Sequence, residues 1–79
     1  MIQIIDKFLK TSDKTEMFSI SEEIKAKFNS LPSPNEEFRL NTLNLISSSL
    51  QIYIDEYDNE FRRNSNAKMI DNLKVLTCL

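Results

Sequence analysis

The sequence predicts an all-α fold: a small antiparallel bundle of about four helices, dominated by one long helix at roughly Pro34–Arg63. Three observations support this prediction. The chain contains no glycine and only two prolines, so tight hairpin turns, which depend on residues with positive φ, would be hard to build. Apolar residues recur every three or four positions rather than in alternation. Polar capping residues stand directly in front of several apolar runs.

The length predicts a single helical domain over residues 1–79. A domain of this size buries only about 60% of its unfolded surface, so such chains often depend on a disulfide, a metal or a partner. The chain has one cysteine and no histidine, which excludes an internal disulfide and disfavours a zinc site. Efficient packing of the helices or association with another chain must then stabilise the fold.

Two short helices are predicted first. The segment Ile2–Lys10 is amphipathic, and the polar residues that follow predict a loop or a single loose turn from Thr11 to Phe18. Ser19 and Glu22 form a capping-box pattern for the second helix, with Ser21 as a competing cap. This helix is expected to end before the prolines of "NSLPSP". Its apolar face consists of Ile20, Ile24, Phe28 and Leu31.

The long helix starts at the strongest capping signal in the chain. "SPNE" offers Ser33 as the N-cap, Pro34 at the first helical position and Glu36 to complete a capping box. Neither glycine nor proline interrupts the chain from there to Arg63. A strand is excluded because the apolar triplet 52–54 breaks strict alternation. The face predicted to enter the core consists of Leu40, Leu43, Ile46, Leu50, Tyr53, Ile54, Tyr57 and Phe61.

The last helix is predicted from about Asn66, with Asn64 and Ser65 as further candidate caps. Its apolar ending, "VLTCL", leaves two alternatives: the chain end docks into the core, or the chain is a fragment of a longer helical protein. The residues expected to face inward are Met69, Ile70, Leu73, Leu76 and Leu79.

Enzymatic and cofactor chemistry find little support in the sequence. Without histidine, neither Cys78 nor the serines at 47–49 has the usual base of a nucleophile. Without glycine, loops that cradle phosphates are absent. The acidic cluster Asp55–Glu60 is interpreted as a solvated helix face rather than a metal site. We therefore predict a protein that is not an enzyme, with no catalytic residue, cofactor or metal.

Composition also bears on location. The net charge of −2 provides no general attraction to nucleic acid or anionic lipid. No apolar run is long enough to span a bilayer, and the N-terminus lacks the pattern of a signal peptide. An intracellular protein is expected, cytoplasmic or, in a eukaryote, nuclear, and without contact to a membrane.

A second apolar line on the long helix is the most informative feature. Phe38, Leu45 and Ile52 are seven residues apart and lie away from the predicted core face. Either the long helix is central and has neighbours on two sides, or this line binds another chain. A helix of about 42 Å would project beyond its shorter neighbours, and Tyr57 and Phe61 could anchor a partner near its far end.

These residues predict a non-enzymatic protein–protein interaction or oligomerisation module, either a homodimer or a subunit of a larger complex. Ser47, on the predicted core face, would permit close approach of a neighbouring helix. The alternative is a small nucleic-acid-binding regulator with a C-terminal basic patch. Glu36 and Glu37, at the start of the long helix, disfavour that alternative because they would face phosphates. Its candidate residues are Arg62, Arg63, Lys68 and Lys74.

Short helices followed by a capped long helix resemble, in length and architecture, the bacteriocin immunity proteins, which are antiparallel four-helix bundles. The resemblance implies an inhibitory protein that binds another protein, a special case of the interaction module. The apolar C-terminal segment departs from the polar tail expected in that family, and no site residue is carried over.

Overall fold

The computed structural model describes residues 2–32 and 35–77 of the chain, and all of its secondary structure is α-helical. The four helices are α1 (Ile2–Lys10), α2 (Lys14–Asn29), α3 (Glu36–Asp55) and α4 (Glu60–Thr77). The all-α prediction is therefore confirmed, and α1 has the predicted bounds. Ser33 and Pro34, the predicted cap and first residue of the long helix, lie outside the described residues.

The four helices form a closed ring of neighbours. α1 packs against α2, α2 against α3, α3 against α4, and α4 returns to α1. The bundle measures 38 × 19 × 16 Å. Because each helix lies between two others, each has one buried side and one outer side.

Helix α2 begins earlier than its sequence pattern suggested. The Asp13 carboxylate accepts a hydrogen bond of 2.9 Å from the Thr15 backbone N–H and acts as the N-cap. Ser19 therefore lies inside α2, and the predicted capping box is wrong. The predicted loop is confirmed over Thr11–Asp13 and is wrong over Lys14–Phe18, which is helical. Met17, in the first turns of this longer helix, is fully buried, so the earlier start adds an apolar side chain to the core.

The predicted long helix is two helices. α3 ends at Asp55, and a turn over residues 56–59 leads into α4. The Asn59 side chain accepts a hydrogen bond of 3.1 Å from the Arg62 N–H, and the Asn59 carbonyl accepts one of 2.7 Å from the Arg63 N–H. This N-cap starts α4 at Glu60 instead of Asn66. The prediction of one helix over Pro34–Arg63 is wrong because a capped turn over residues 56–59 separates α3 from α4.

Because the predicted long helix is divided into two, it does not project beyond its neighbours as expected. α3 has 20 residues, against 18 in α4 and 16 in α2, so it does not dominate the bundle. Its N-cap is Asn35, whose side chain accepts a hydrogen bond of 3.0 Å from the Phe38 N–H. A helix of 20 residues is about 30 Å long, which fits within the bundle.

The core draws on all four helices. The Phe8 and Tyr53 rings meet across it with their centroids 5.1 Å apart. Burial raises the pKa of the Tyr53 hydroxyl, with a smaller contribution from Tyr57. The buried apolar side chains are Ile5, Phe8, Met17, Ile20, Ile24, Phe28, Ile46, Leu50, Tyr53, Ile54, Ile70 and Leu73.

The buried face of α3 is rotated relative to the prediction. Leu40 and Phe61, both predicted to be in the core, are exposed, whereas Thr42 and Ser49 are buried. Phe61 belongs to the first turn of α4, so it does not continue the buried face of α3. The small buried residue expected at Ser47 is instead Ser49, while Ser47 is half-buried.

The inward face of α4 is confirmed at Ile70 and Leu73, which are buried. Met69 is half-buried. The predictions for Leu76 and Leu79 fall on side chains outside the described part of the chain. The predicted face of α2 is also confirmed, except that Leu31 follows the end of the helix and is exposed.

Candidate protein-interaction surface on helix α3

Three large apolar side chains stand in a row on the outer side of α3. Phe38, Leu45 and Ile52 are 55%, 53% and 45% exposed, and we call them the apolar line. Seven residues advance about 10.5 Å along a helix and drift by about 20° around it. The line therefore runs about 21 Å almost parallel to the helix axis, and no neighbouring helix covers it.

The two borders of the apolar line differ. On the side towards the core lie Thr42 and Ser49, both buried small side chains. On the solvent side lie Asn41 and Ser48, both exposed. The apolar line is thus not the edge of the core stripe, because a row of small residues separates it from the large buried side chains of α3.

Two of the three residues of the line, Leu45 and Ile52, lie in an uncharged stretch of α3. No charged residue occurs between Arg39 and Asp55, although 28% of the chain is charged. Protein interfaces are depleted in charged residues at their centres. We call the exposed residues of this run the neutral face; they are Leu40, Asn41, Asn44, Leu45, Ser48, Gln51 and Ile52. Sequence reasoning could have found this run of uncharged residues, which is visible before any fold is known.

A shallow open groove lies beside the apolar line, between α2 and α3. It is lined by Lys25 of α2 and by Ser47, Ser48, Gln51 and Ile52 of α3. The Lys25 ammonium lies 2.7 Å from the Glu22 carboxylate on its own helix. The groove adds polar surface next to Ile52.

Tyr57 and Phe61, predicted as anchors near the end of the same surface, are not brought together with the apolar line. Tyr57 is half-buried, with its ring 6.0 Å from that of Tyr53 and the Arg63 guanidinium 5.0 Å from the ring centroid. It therefore belongs to the packing of the bundle itself. Phe61 is 78% exposed in the first turn of α4, beyond the turn that ends α3.

The four basic residues of the nucleic-acid alternative, all on α4, have different partners. Arg63 stacks over Tyr57, and Lys74 pairs with Asp6 and, at 2.9 Å, with Asp71. The hydrogen bond to Asp6 raises the pKa of Lys74, and the same bond lowers the pKa of Asp6. Arg62 and Lys68 are exposed, but a six-residue separation places them about 120° apart around α4.

The acidic cluster has partners of its own. The Asp58 carboxylate lies 2.7 Å from the Lys14 ammonium, which joins the start of α2 to the α3–α4 turn. Asp55 accepts a hydrogen bond of 2.9 Å from the Gln51 amide. Within residues 2–32 and 35–77, no three acidic, histidine or cysteine side chains are placed to hold a metal ion.

Membrane-spanning character and similarity to known proteins also bear on the role of this surface. Among the helices the structure describes, none has both the length and the apolar character to cross a bilayer. Comparison of the chain with protein-family models, with curated proteins and with solved structures found no match. The physical character of the surface is therefore the basis for a functional argument.

Proposed function

We propose that this chain is a single helical domain that acts as a non-enzymatic protein–protein interaction module and binds through the apolar line of α3. The observation that carries the proposal is the alignment of three large, half-exposed apolar side chains along α3, two of them within a run of residues that has no charge. Single exposed apolar residues are normal on protein surfaces. A contiguous apolar row with a polar rim is typical of interaction sites.

The apolar line can anchor a partner but does not supply all of the binding free energy. Full burial of a Leu, Ile or Phe side chain contributes about 1.5–3 kcal/mol. Each of the three residues is about half exposed, so covering it contributes roughly 1 kcal/mol. A micromolar complex needs about 8 kcal/mol. The partner must therefore also contact the amides and hydroxyls of the neutral face.

We further infer that successive helices run antiparallel, which fixes where the apolar line lies in the bundle. The Arg39 side chain, near the start of α3, contacts Asn29 at the end of α2. Lys14, at the start of α2, contacts Asp58, just after the end of α3. Connections of only a few residues support the same order. The ends of α3 then lie beside the connections, while Leu45 lies near the middle of the bundle's length.

A non-enzymatic role is supported by the composition, because a chain without histidine offers no common base for a serine or cysteine nucleophile. An intracellular location remains a prediction from the sequence. Nucleic-acid binding is less well supported, because Arg63 and Lys74 are engaged within the bundle. An inhibitor of another protein, as in immunity proteins, would be one form of the proposed module.

The test compares two double variants that make the same charge change at different places. Leu45→Glu with Ile52→Glu alters the apolar line, whereas Phe18→Glu with Val75→Glu alters exposed apolar residues of α2 and α4. Each is used, beside the wild type, to retain proteins from extracts of the native host, with circular dichroism to verify folding.

Proteins held by the wild type, including further copies of the chain, should be held by the control and lost by the α3 variant. Equal retention by both variants would show that binding lies elsewhere. If the folded wild type retains nothing and does not self-associate, the interaction module itself is wrong.

A further inference from the structure

We infer that the partner of the apolar line is a second copy of this chain, with the two α3 helices packed antiparallel about a two-fold axis at Leu45. This inference rests on the proposed function and deepens it, because it names the partner and the geometry. It is argued from the charge, the symmetry and the size of the surface.

Charge complementarity favours a second copy. Between Leu40 and Ile54, α3 has no charge of either sign, so pairing this stretch with itself buries no charge of α3 and opposes like charges only at its two ends. A partner selected by charge would need oppositely charged groups at the centre of the site, and this face has none to offer. Amides and hydroxyls, such as those of Asn41 and Ser48, can donate to and accept from identical groups.

The spacing of the line is symmetric about its middle residue. Phe38 precedes Leu45 by seven positions, and Ile52 follows it by seven. A two-fold axis at Leu45 therefore places Phe38 of each copy against Ile52 of the other, and the two Leu45 side chains against each other. Heptad spacing suits helices that cross at about 20°. Such a contact uses the same patch on both copies and closes at the dimer.

The antiparallel orientation follows from the ends of α3. A parallel pair would align the two helix dipoles and place Glu36 and Glu37 of both copies side by side. An antiparallel pair sets each positive N-terminus beside a negative C-terminus. At the edge of the antiparallel contact, Glu37 of one copy still lies near Asp55 of the other, and both are exposed. Added salt should therefore strengthen the dimer, because it screens this repulsion.

The size of the contact predicts a weak dimer. A standard interface covers about 800 Å² on each partner, which is about 15% of the 5215 Å² surface of this chain. A single helix face with three apolar anchors covers less. We therefore expect dissociation constants in the micromolar range or above, and the experiments must reach millimolar concentrations of protein.

Cross-linking of the full chain tests the geometry. In a Cys78→Ser background, the variants Phe38→Cys, Leu45→Cys and Ile52→Cys are treated separately and as mixtures with a short bismaleimide. Leu45→Cys should form covalent dimers alone. Phe38→Cys and Ile52→Cys should form them only when mixed, because identical positions then lie about 21 Å apart. Phe18→Cys, at an exposed site on α2, is the control for random collisions.

Each remaining result contradicts part of the inference. Efficient self-linking of all three variants would indicate a parallel pair and overturn the axis at Leu45. Linking no greater than that of Phe18→Cys, with a chain that sediments as a monomer at every salt and protein concentration, would exclude the second copy. In that case the host-extract comparison still decides whether the apolar line binds a different protein.

Discussion

At the scale of single residues, chemically similar side chains next to each other have opposite environments. Ile46 is fully buried, whereas Leu45 is 53% exposed, and nothing in either side chain distinguishes them. A one-residue step rotates about 100° around a helix, so position alone decides which one enters the core. Ser49 and Thr42 show the converse, since both are small, polar and buried. Their burial depends on the helices packed beside them, and hydropathy does not reveal it.

The Asp6–Lys74 ion pair leads to a prediction about pH. Its hydrogen bond lowers the pKa of Asp6 below the ordinary 3.8 and raises that of Lys74 above the ordinary 10.5. The Asp6 contribution to stability is present above the ordinary pKa and is lost as the pH falls through the lowered one. The Lys74 contribution is present below 10.5 and is lost as the pH rises through the raised pKa.

We expect Asp6→Asn to flatten the acid limb of the stability profile, below about pH 4. Lys74→Gln should flatten the acid and the alkaline limbs, because it removes the partner of Asp6 as well as its own charge. Urea unfolding midpoints across the pH range measure this. The effect should be small and should shrink with added salt, because the pair is partly exposed. Profiles of the variants that run parallel to the wild type would contradict it.

At the scale of helices, the starts depend on which of several possible caps the packing selects. Ser19, Ser21 and Asp13 are all suitable residues for the start of α2. The helix starts after Asp13 because Met17 is then helical and buried. For α4, Asn59 prevails over the later candidates because an early turn lets Ile70 and Leu73 reach the core. The local sequence identifies the residues that can cap a helix, and burial of the residues that follow determines which of them does.

The cap of α4 can be tested with a matched pair of asparagines. Asn59→Ala removes the hydrogen bond to the Arg62 N–H and should lower the free energy of unfolding by about 1 kcal/mol. Asn64→Ala replaces an exposed residue inside α4 and should be neutral or slightly stabilising, since alanine favours helices. Chemical unfolding followed by circular dichroism measures both. A larger loss from Asn64→Ala would place the cap where the sequence pattern suggested.

At the scale of the whole molecule, contacts between distant parts of the chain close the bundle. α1 packs against α4, and Asp6 meets Lys74 across that junction. Lys14 similarly ties the start of α2 to Asp58 in the α3–α4 turn. This closure surrounds the inner side of α3 with other helices and leaves its neutral face outside. The candidate surface is therefore a product of the ring of helices as a whole.

If the second copy binds only folded protein, thermal stability should depend on concentration. Association shifts the folding equilibrium by mass action, so the unfolding temperature should rise by several degrees between micromolar and millimolar protein. The Leu45→Glu, Ile52→Glu variant should show no such rise, while Phe18→Glu, Val75→Glu should behave as the wild type. Differential scanning calorimetry is the measurement. A wild-type transition that does not move with concentration would contradict self-association.

Composition and periodicity were enough to predict the all-α class, the bounds of α1 and the spacing of Phe38, Leu45 and Ile52. They also identified five core residues of α2 and α4: Ile20, Ile24, Phe28, Ile70 and Leu73. These properties follow from composition or helical periodicity, and they do not depend on how the helices pack. Tertiary structure decided where α2 begins, that α3 stops at Asp55, and that Tyr57 packs inward while Phe61 stands exposed. The reason is that a helix continues or ends according to the burial available to its next turn, and that burial is provided by residues far away in the chain.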